Sequence, residues 1–164
     1  MGGGEGLLPM EEIVTQLLKN KPHNLRLVAL TGNNQNLTKA LKTKFANSVE
    51  VFSYTDKVPQ IMCGADMIIS KAGGVSSAEV LASNLEFIIY KPLPGQEENN
   101  AKFLANYCEA TIANSMEEIA QKVQAMCLYN EEKLSQGKRF YGKPSASKEV
   151  CDFVLKRLKN ILPS

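Results

Sequence analysis

Residues 65–79 read ADMIISKAGGVSSAE, in which a short apolar run, Met67–Ser70, leads into a glycine turn and then a helical pattern. Such a run of four residues before a turn is typical of a buried strand. Outward from it, further runs of strand length lie at Leu25–Leu30, Val49–Ser53, Phe87–Tyr90 and Thr111–Ala113. Amphipathic helical periods separate these runs. The alternation predicts an α/β fold, a doubly wound, mainly parallel sheet with helices on both faces.

The composition is that of an ordinary globular protein. Of the 164 residues, 44% are hydrophobic and 22% are charged, which excludes a disordered chain and favours one domain over residues 1–164. No apolar run approaches the roughly 20 residues of a membrane span. The amino terminus also lacks the basic and apolar regions of a secretory signal. The four cysteines have no C-x-x-C spacing and the chain has one histidine, so we expect reduced thiols, no bound metal and a cytoplasmic protein.

Basic side chains are concentrated near the carboxyl terminus. Residues 138–164 contain seven basic and two acidic side chains, whereas acidic side chains outnumber basic ones before residue 138. A basic segment of this kind can bind anionic lipid or nucleic acid. Because no arginine-rich run or aromatic stacking pattern accompanies it, a solvated helix face is favoured and no nucleic-acid partner is predicted.

The loop after Met67–Ser70 is the first candidate for binding. Ligands of doubly wound sheets bind at the carboxyl ends of the strands, and a helix that opens after Gly73 and Gly74 would present free N–H groups to a phosphate. Glu79 has two interpretations. With Ser76 it fits a capping box, and alternatively its carboxylate would accept hydrogen bonds from ribose hydroxyls.

Two further loops have features of a binding site. The glycines of Gly2–Gly6 resemble a second phosphate turn, which normally follows a strand; since none precedes Gly2, we expect a fragment of a longer protein. The proline-stiffened loop after Tyr90 presents Gln96, Glu97 and Asn100, whose polar groups suit sugar hydroxyls. The alternative interpretation of these residues is that they form an ordinary exposed loop.

Residues 65–79 together with residues 90–101, YKPLPGQEENNA, resemble glycosyltransferase family 28. The similarity is greatest to processive diacylglycerol glucosyltransferases and monogalactosyldiacylglycerol synthases, and extends from the GGG turn to residues 143–147. It implies a Rossmann-like, C-terminal donor domain of a two-domain GT-B enzyme. The complete enzyme would transfer glucose or galactose, with inversion, from UDP-glucose or UDP-galactose to a membrane lipid such as diacylglycerol. The N-terminal acceptor domain, and with it the catalytic base, would be absent from this chain.

The resemblance also implies which residues hold each part of the donor. They are Tyr54 and Thr55 for uracil, Gly74, Val75 and Ser76 for the diphosphate, Glu79 for the ribose, Gln96 and Glu97 for the sugar, and Gly3 and Gly4 near the interdomain cleft. No cofactor is implied besides the UDP-sugar substrate. One departure is Asn84-Leu85-Glu86, where the family usually has Gly-Leu-Pro.

Other functions stay open at this point. Within the enzyme class the alternative is a lipid II-type UDP-GlcNAc transferase domain, over which the sequence PGQE at residues 94–97 favours the glycolipid branch. Outside that class the alternatives are a non-catalytic nucleotide-binding regulatory module and a general interaction module. The glycolipid interpretation implies a peripheral location on the cytoplasmic face of a membrane.

Overall fold

The structure, a computed structural model, describes residues 1, 8–19, 21–133, 142 and 145–161. Helices and strands alternate along most of these residues. In chain order the elements are α1 (Met10–Lys19), β1 (Val28–Leu30), α2 (Gln35–Phe45), β2 (Glu50–Phe52), α3 (Val58–Cys63), β3 (Met67–Ser70), α4 (Gly74–Ala82), β4 (Glu86–Tyr90), α5 (Gln96–Cys108), β5 (Thr111–Ala113), α6 (Met116–Lys133) and α7 (Ala146–Ile161). The five predicted strands all form, although β1 and β2 are shorter than expected.

All strand pairs are parallel, as predicted, but they form two sheets instead of one. β1 pairs with β2, while β4 lies between β3 and β5. Strand β1 begins only at Val28 because Leu25 belongs to a turn, in which its N–H donates to the carbonyl of Pro22 at 3.1 Å. The parallel pairing with helical crossovers confirms the predicted α/β class.

Strand β4 shows that helices cover both faces of the three-stranded sheet. Its side chains alternate between two apolar cores: Ile88 and Tyr90 pack into one, and Phe87 and Ile89 into the other. The first core is completed by α1, α2 and α6, and the second by α3, α4 and α5. A strand buried on both faces in this way has the nearly continuous apolar sequence seen at residues 87–90.

Local sequence signals explain several element boundaries. Ser115 caps α6, since its Oγ accepts the N–H of Glu118 at 3.1 Å, and the Glu118 carboxylate accepts the N–H of Asn114 at 2.7 Å. Ser115 and Glu118 therefore form a capping box, with the carboxylate bonded one residue earlier than in the usual arrangement. Asn84 has a φ of 54°, a conformation that glycine favours and asparagine tolerates, so the turn forms despite the departure from Gly-Leu-Pro.

The four cysteines are free thiols, with Cys63 and Cys151 exposed and Cys108 and Cys127 half-buried. Burial raises the pKa of both half-buried thiols. No helix in the described part of the chain combines the length and apolar character needed to cross a membrane.

Candidate functional site

The glycine turn between β3 and α4 leaves backbone amides without helical partners. Helix α4 begins at Gly74, and its N-cap residue is Gly73, which has φ and ψ of −69° and 143° and no side chain to cap the helix. The first helical hydrogen bond runs from the N–H of Ser77 to the carbonyl of Gly73 at 2.9 Å. The three preceding amides, those of Gly74, Val75 and Ser76, therefore point out of the helix at its positive end.

This turn is open to solvent. Val75 is 77% exposed, and a Cβ added to Gly73 or Gly74 would meet no atom within 4 Å. Neither glycine has a positive φ, so the fold itself requires glycine at neither position. The missing side chains instead leave space in which a ligand can approach the backbone closely.

The capping interpretation of Ser76 and Glu79 is wrong. Ser76 is the third residue of α4 and not its cap, because the helix begins two residues earlier. In the part of the chain that is described, Glu79 is exposed and its carboxylate has no hydrogen bond to the backbone of Ser76. Its side chain is thus available to a ligand.

A hydrogen bond from Asn100 joins the glycine turn to the next loop. The side-chain amide of Asn100, in the second turn of α5, donates to the carbonyl of buried Ala72 at 2.9 Å. Strands β3 and β4 are parallel neighbours, with Ser70 beside Ile89, so the two loops leave the same edge of the sheet. Asn100 is half-buried and its Nδ2 group positions the two loops, so the sugar contact suggested for Asn100 stays a prediction that concerns its Oδ1 atom. Nothing in the sequence distinguishes it from Asn99.

The loop after β4 is held by its own residues. Gly95 has a φ of 98°, in the left-handed region that favours glycine. The N–H of Leu93 donates to Oε2 of Glu97 at 3.0 Å, and the N–H of Glu98 donates to the carbonyl of Leu93 at 3.0 Å. One oxygen of Glu97 thus stabilises the loop. Gln96 is exposed at the start of α5.

The residues predicted for uracil lie on a separate loop. Tyr54 follows β2 and is 74% exposed, while the hydroxyl of Thr55 accepts the N–H of Lys57 at 3.2 Å. Across the described residues, no hydrogen bond joins this loop to residues 71–76 or 91–97. Their role in uracil binding stays a prediction. Gly3 and Gly4 lie outside the described residues.

Two features of the turn and of the neighbouring loop were not predicted from the sequence. The hydroxyl of Ser77, the residue after the three free amides, is buried and lacks a hydrogen-bond partner among the described residues. Lys71 and Lys91 each follow a strand end, so both loops begin with a cation. Positive charges and free amides at one sheet edge favour an anion. Within the described ranges, no three His, Cys, Asp or Glu side chains are grouped as metal ligands would be.

Comparison with known proteins shows which family the chain resembles. The C-terminal domain of glycosyltransferase family 28 matches residues 1–150. The curated processive diacylglycerol beta-glucosyltransferase of Bacillus licheniformis is 30% identical over 142 residues, which cover 85% of this chain and 37% of that protein. The enzyme of the same name from Bacillus subtilis is 30% identical over 143 residues, with the same coverage. This chain thus spans little more than a third of the length of these relatives.

A solved structure supports the fold. The crystal structure of Acinetobacter baumannii MurG matches with a TM-score of 0.67 and 23% sequence identity, over 89% of this chain and 45% of that one. The match confirms the Rossmann-like fold that the motifs implied. By its match over residues 1–150, the chain belongs to the glycosyltransferase family 28 C-terminal domain family.

Proposed function

We propose that this chain binds a UDP-sugar and is the donor half of a glycosyltransferase. The complete enzyme would transfer glucose or galactose, with inversion, to a membrane lipid such as diacylglycerol. The observation that carries the proposal is the open turn at Gly73 and Gly74, tied through Asn100 to the polar loop after β4. This arrangement offers one surface for a diphosphate and an adjoining surface for a sugar.

The diphosphate is assigned to the amides of Gly74, Val75 and Ser76. During transfer the bond between the anomeric carbon and the diphosphate oxygen breaks, and UDP leaves with the electron pair. The lipid hydroxyl oxygen bonds to the opposite face of the same carbon, and its proton passes to the catalytic base of the complete enzyme. Fixed N–H groups at the positive end of α4 suit the charge that develops on the leaving group. Lys71 and Lys91 add positive charge where the loops begin.

The ribose, the sugar and the uracil of the donor are assigned relative to the diphosphate. Glu79 is four residues after Val75, so both lie on the same exposed face of α4, and its carboxylate is assigned to the ribose hydroxyls. Gln96 and Glu97 begin α5 on the adjoining loop and are assigned to the sugar. Tyr54 and Thr55 are assigned to uracil, and Gly3 and Gly4 to the cleft towards an acceptor domain.

The lipid acceptor is inferred from the relatives. Those compared above are named as diacylglycerol glucosyltransferases, and this chain matches 37% of their length. We assign the catalytic base and the acceptor pocket to the part of such an enzyme that this chain does not match. A membrane-lipid acceptor would place the enzyme peripherally on the cytoplasmic face of the membrane.

Calorimetric titration with UDP and with ADP tests the proposal. We expect saturable UDP binding, weaker ADP binding, tighter binding of UDP-glucose or UDP-galactose than of UDP, and no lipid glycosylation by this chain alone. Preference for UDP-GlcNAc would instead support a lipid II-type transferase. If UDP binds but the UDP-sugars bind no more tightly than UDP, the result would support a non-catalytic regulatory module. Equal affinity for UDP and ADP, or robust turnover by the chain alone, would refute the proposal.

A further inference from the structure

Lys91 has a backbone conformation that lysine rarely adopts. Its φ is 40°, in the left-handed region that favours glycine. Asn84 and Glu109 also have positive φ values, but each lies where a helix ends, and left-handed residues are common at that position. Lys91 instead connects strand β4 to the loop that follows it. The end of a helix therefore does not explain its conformation.

The neighbouring structure holds Lys91 in this conformation. Its N–H donates to the carbonyl of Ala113, the last residue of β5, at 3.0 Å. Pro92 follows, and a proline disfavours the right-handed helical region for the residue before it. Glycine would meet both conditions without the crowding between Cβ and backbone that a left-handed residue suffers. Because the backbone alone would favour glycine at position 91, the lysine points to a role of its side chain.

The ammonium group of Lys91 is held in place without an opposite charge. Its Nζ atom lies 5.4 Å from the centroid of the Tyr90 ring, within the range of a cation–π interaction. Tyr90 is only 5% exposed, so its ring is a fixed support. Within the described ranges, no carboxylate forms an ion pair with Lys91. The positive charge is therefore positioned and available to an anion.

The Tyr90 ring and the free amides of α4 belong to opposite faces of the sheet. Tyr90 packs into the core that α1, α2 and α6 complete, whereas α4 covers the other face. Because β3 and β4 are adjacent and parallel, the loops that follow them leave the same edge. An extended diphosphate lying across this edge can meet the amides with one phosphate and Lys91 with the other.

The position of Lys91 in the chain indicates which phosphate that is. Lys91 begins the loop that leads to Gln96 and Glu97, which are assigned to the sugar. The free amides and Glu79, which is assigned to the ribose, belong to α4. In a UDP-sugar, one phosphate is bonded to the ribose and the other to the sugar. We therefore expect Lys91 to face the second of these, called here the sugar-side phosphate.

We propose that Lys91 binds the sugar-side phosphate of the donor, and that its left-handed backbone places the ammonium for this contact. The inference rests on the proposed function and extends it, because it names a residue that distinguishes a nucleoside diphosphate from a monophosphate. When UDP leaves, the electron pair of the broken bond goes to the oxygen of this phosphate. A cation fixed beside that oxygen stabilises the leaving group more than the intact donor.

Calorimetric titration of UDP and UMP tests the proposal, because UMP lacks the sugar-side phosphate. We expect the wild type to bind UDP about tenfold or more tightly than UMP. Lys91→Gln should weaken UDP binding about tenfold and change UMP binding by less than about twofold. Lys91→Arg keeps the charge and should preserve most of the preference for UDP. Lys42→Gln is the matched control, since Lys42 is exposed in the last turn of α2, near the start of β2.

Thermal denaturation separates the charge of Lys91 from its backbone conformation. Lys91→Gly should weaken UDP binding as much as Lys91→Gln, because both variants lack the ammonium. Its Tm should be about 2–4 °C higher than that of Lys91→Gln, because only glycine relieves the left-handed conformation. A lower Tm for Lys91→Gly than for Lys91→Gln would overturn the proposal, since position 91 would then require a side chain for stability.

The wild-type titrations separate this inference from the proposed function. If the wild type binds neither nucleotide, the proposed function is refuted and the role of Lys91 with it. If the wild type binds both, an unchanged preference for UDP in Lys91→Gln, or an equal loss of UMP and UDP affinity, overturns the role of Lys91 alone. An equal effect of Lys42→Gln would also overturn it, because net charge and not a contact would then set the affinity for UDP.

Discussion

We expect Glu79 to contact the ligand and to contribute little to stability, because α4 has a glycine N-cap and the Glu79 carboxylate is exposed. We expect Glu79→Ala to weaken UDP binding by about 1.5–3 kcal/mol, the value of a hydrogen bond to a charged group, with little change in Tm. Calorimetry and thermal denaturation measure the two quantities.

Glu118 is the matched control, because its carboxylate caps the start of α6. Glu118→Ala should lower the free energy of unfolding by about 0.5–2 kcal/mol and leave UDP affinity unchanged. If Glu79→Ala lowers stability and spares UDP affinity as Glu118→Ala does, the ribose assignment is wrong.

Gln96 and Glu97 are adjacent in sequence but differ in their contacts within the loop. Gln96 is exposed, whereas Glu97 accepts a hydrogen bond from Leu93 within its own loop. Gln96→Ala should therefore remove part of the extra affinity of UDP-glucose or UDP-galactose over UDP, with Tm unchanged. Glu97→Ala should remove that affinity and also about 0.5–1.5 kcal/mol of stability. Titrations of UDP and of the UDP-sugar into each variant test whether this loop contacts the sugar. An equal loss of affinity for both ligands would mean that the loop contacts the nucleotide instead.

At the scale of elements, the contact between α5 and the β3–α4 loop depends on Asn100. Asn100→Ala leaves the carbonyl of buried Ala72 unpaired, which should lower stability by about 1–3 kcal/mol and weaken UDP-sugar binding. Asn99 is exposed one position earlier, and Asn99→Ala should change stability by no more than about 0.5 kcal/mol. Urea denaturation and UDP-sugar titration of both variants test this, and equal effects from the two variants would contradict it.

Element type and order could be predicted from the sequence because apolar periodicity reports burial directly. Each predicted strand forms, and the Ser115 cap was readable from its spacing to Glu118. Of the two interpretations of Glu79, the cap with Ser76 was wrong, because a serine three residues before a glutamate fits a capping box whether the helix starts there or two residues earlier. Asn100 could not be assigned, because its partner is a carbonyl 28 residues away.

At the scale of the whole molecule, the division into two sheets could not be predicted, since strand sequences do not specify their neighbours. The apolar runs Val28–Leu30 and Met67–Ser70 would fit neighbouring strands equally well, but a cavity of about 490 Å³ lies between them. The position of Met1 depends on contacts with residues 69 and 70, which are distant in sequence.

The buried amine of Met1 makes the stability of the whole molecule depend on pH. Its pKa falls from 8.0 in the unfolded chain to about 5 in the fold, so between these values the unfolded state binds more protons. Stability therefore falls as pH decreases from 8 to 5, by roughly 4 kcal/mol from this group alone. Urea denaturation across that range should show the loss for the free amine relative to the Nα-acetylated chain, in which all other groups titrate alike. Parallel curves would show that the amine is hydrated in the folded protein.

The central claim, that the Gly73–Gly74 turn binds the diphosphate of UDP, is tested by titrating UDP into the wild type and Gly74→Ala. A Cβ at Gly74 meets no protein atom within 4 Å, so the fold should tolerate the substitution. A phosphate bound against the backbone of Gly74 would collide with that Cβ, so UDP binding should weaken. Gly64→Ala is the control, since its Cβ would make only ordinary contacts, 3.6 Å from the carbonyl of Gln60. We predict that Gly74→Ala weakens UDP binding about tenfold or more with no fall in Tm, while Gly64→Ala leaves it unchanged. UDP affinity equal in all three proteins, or no UDP binding by the wild type, would contradict the claim.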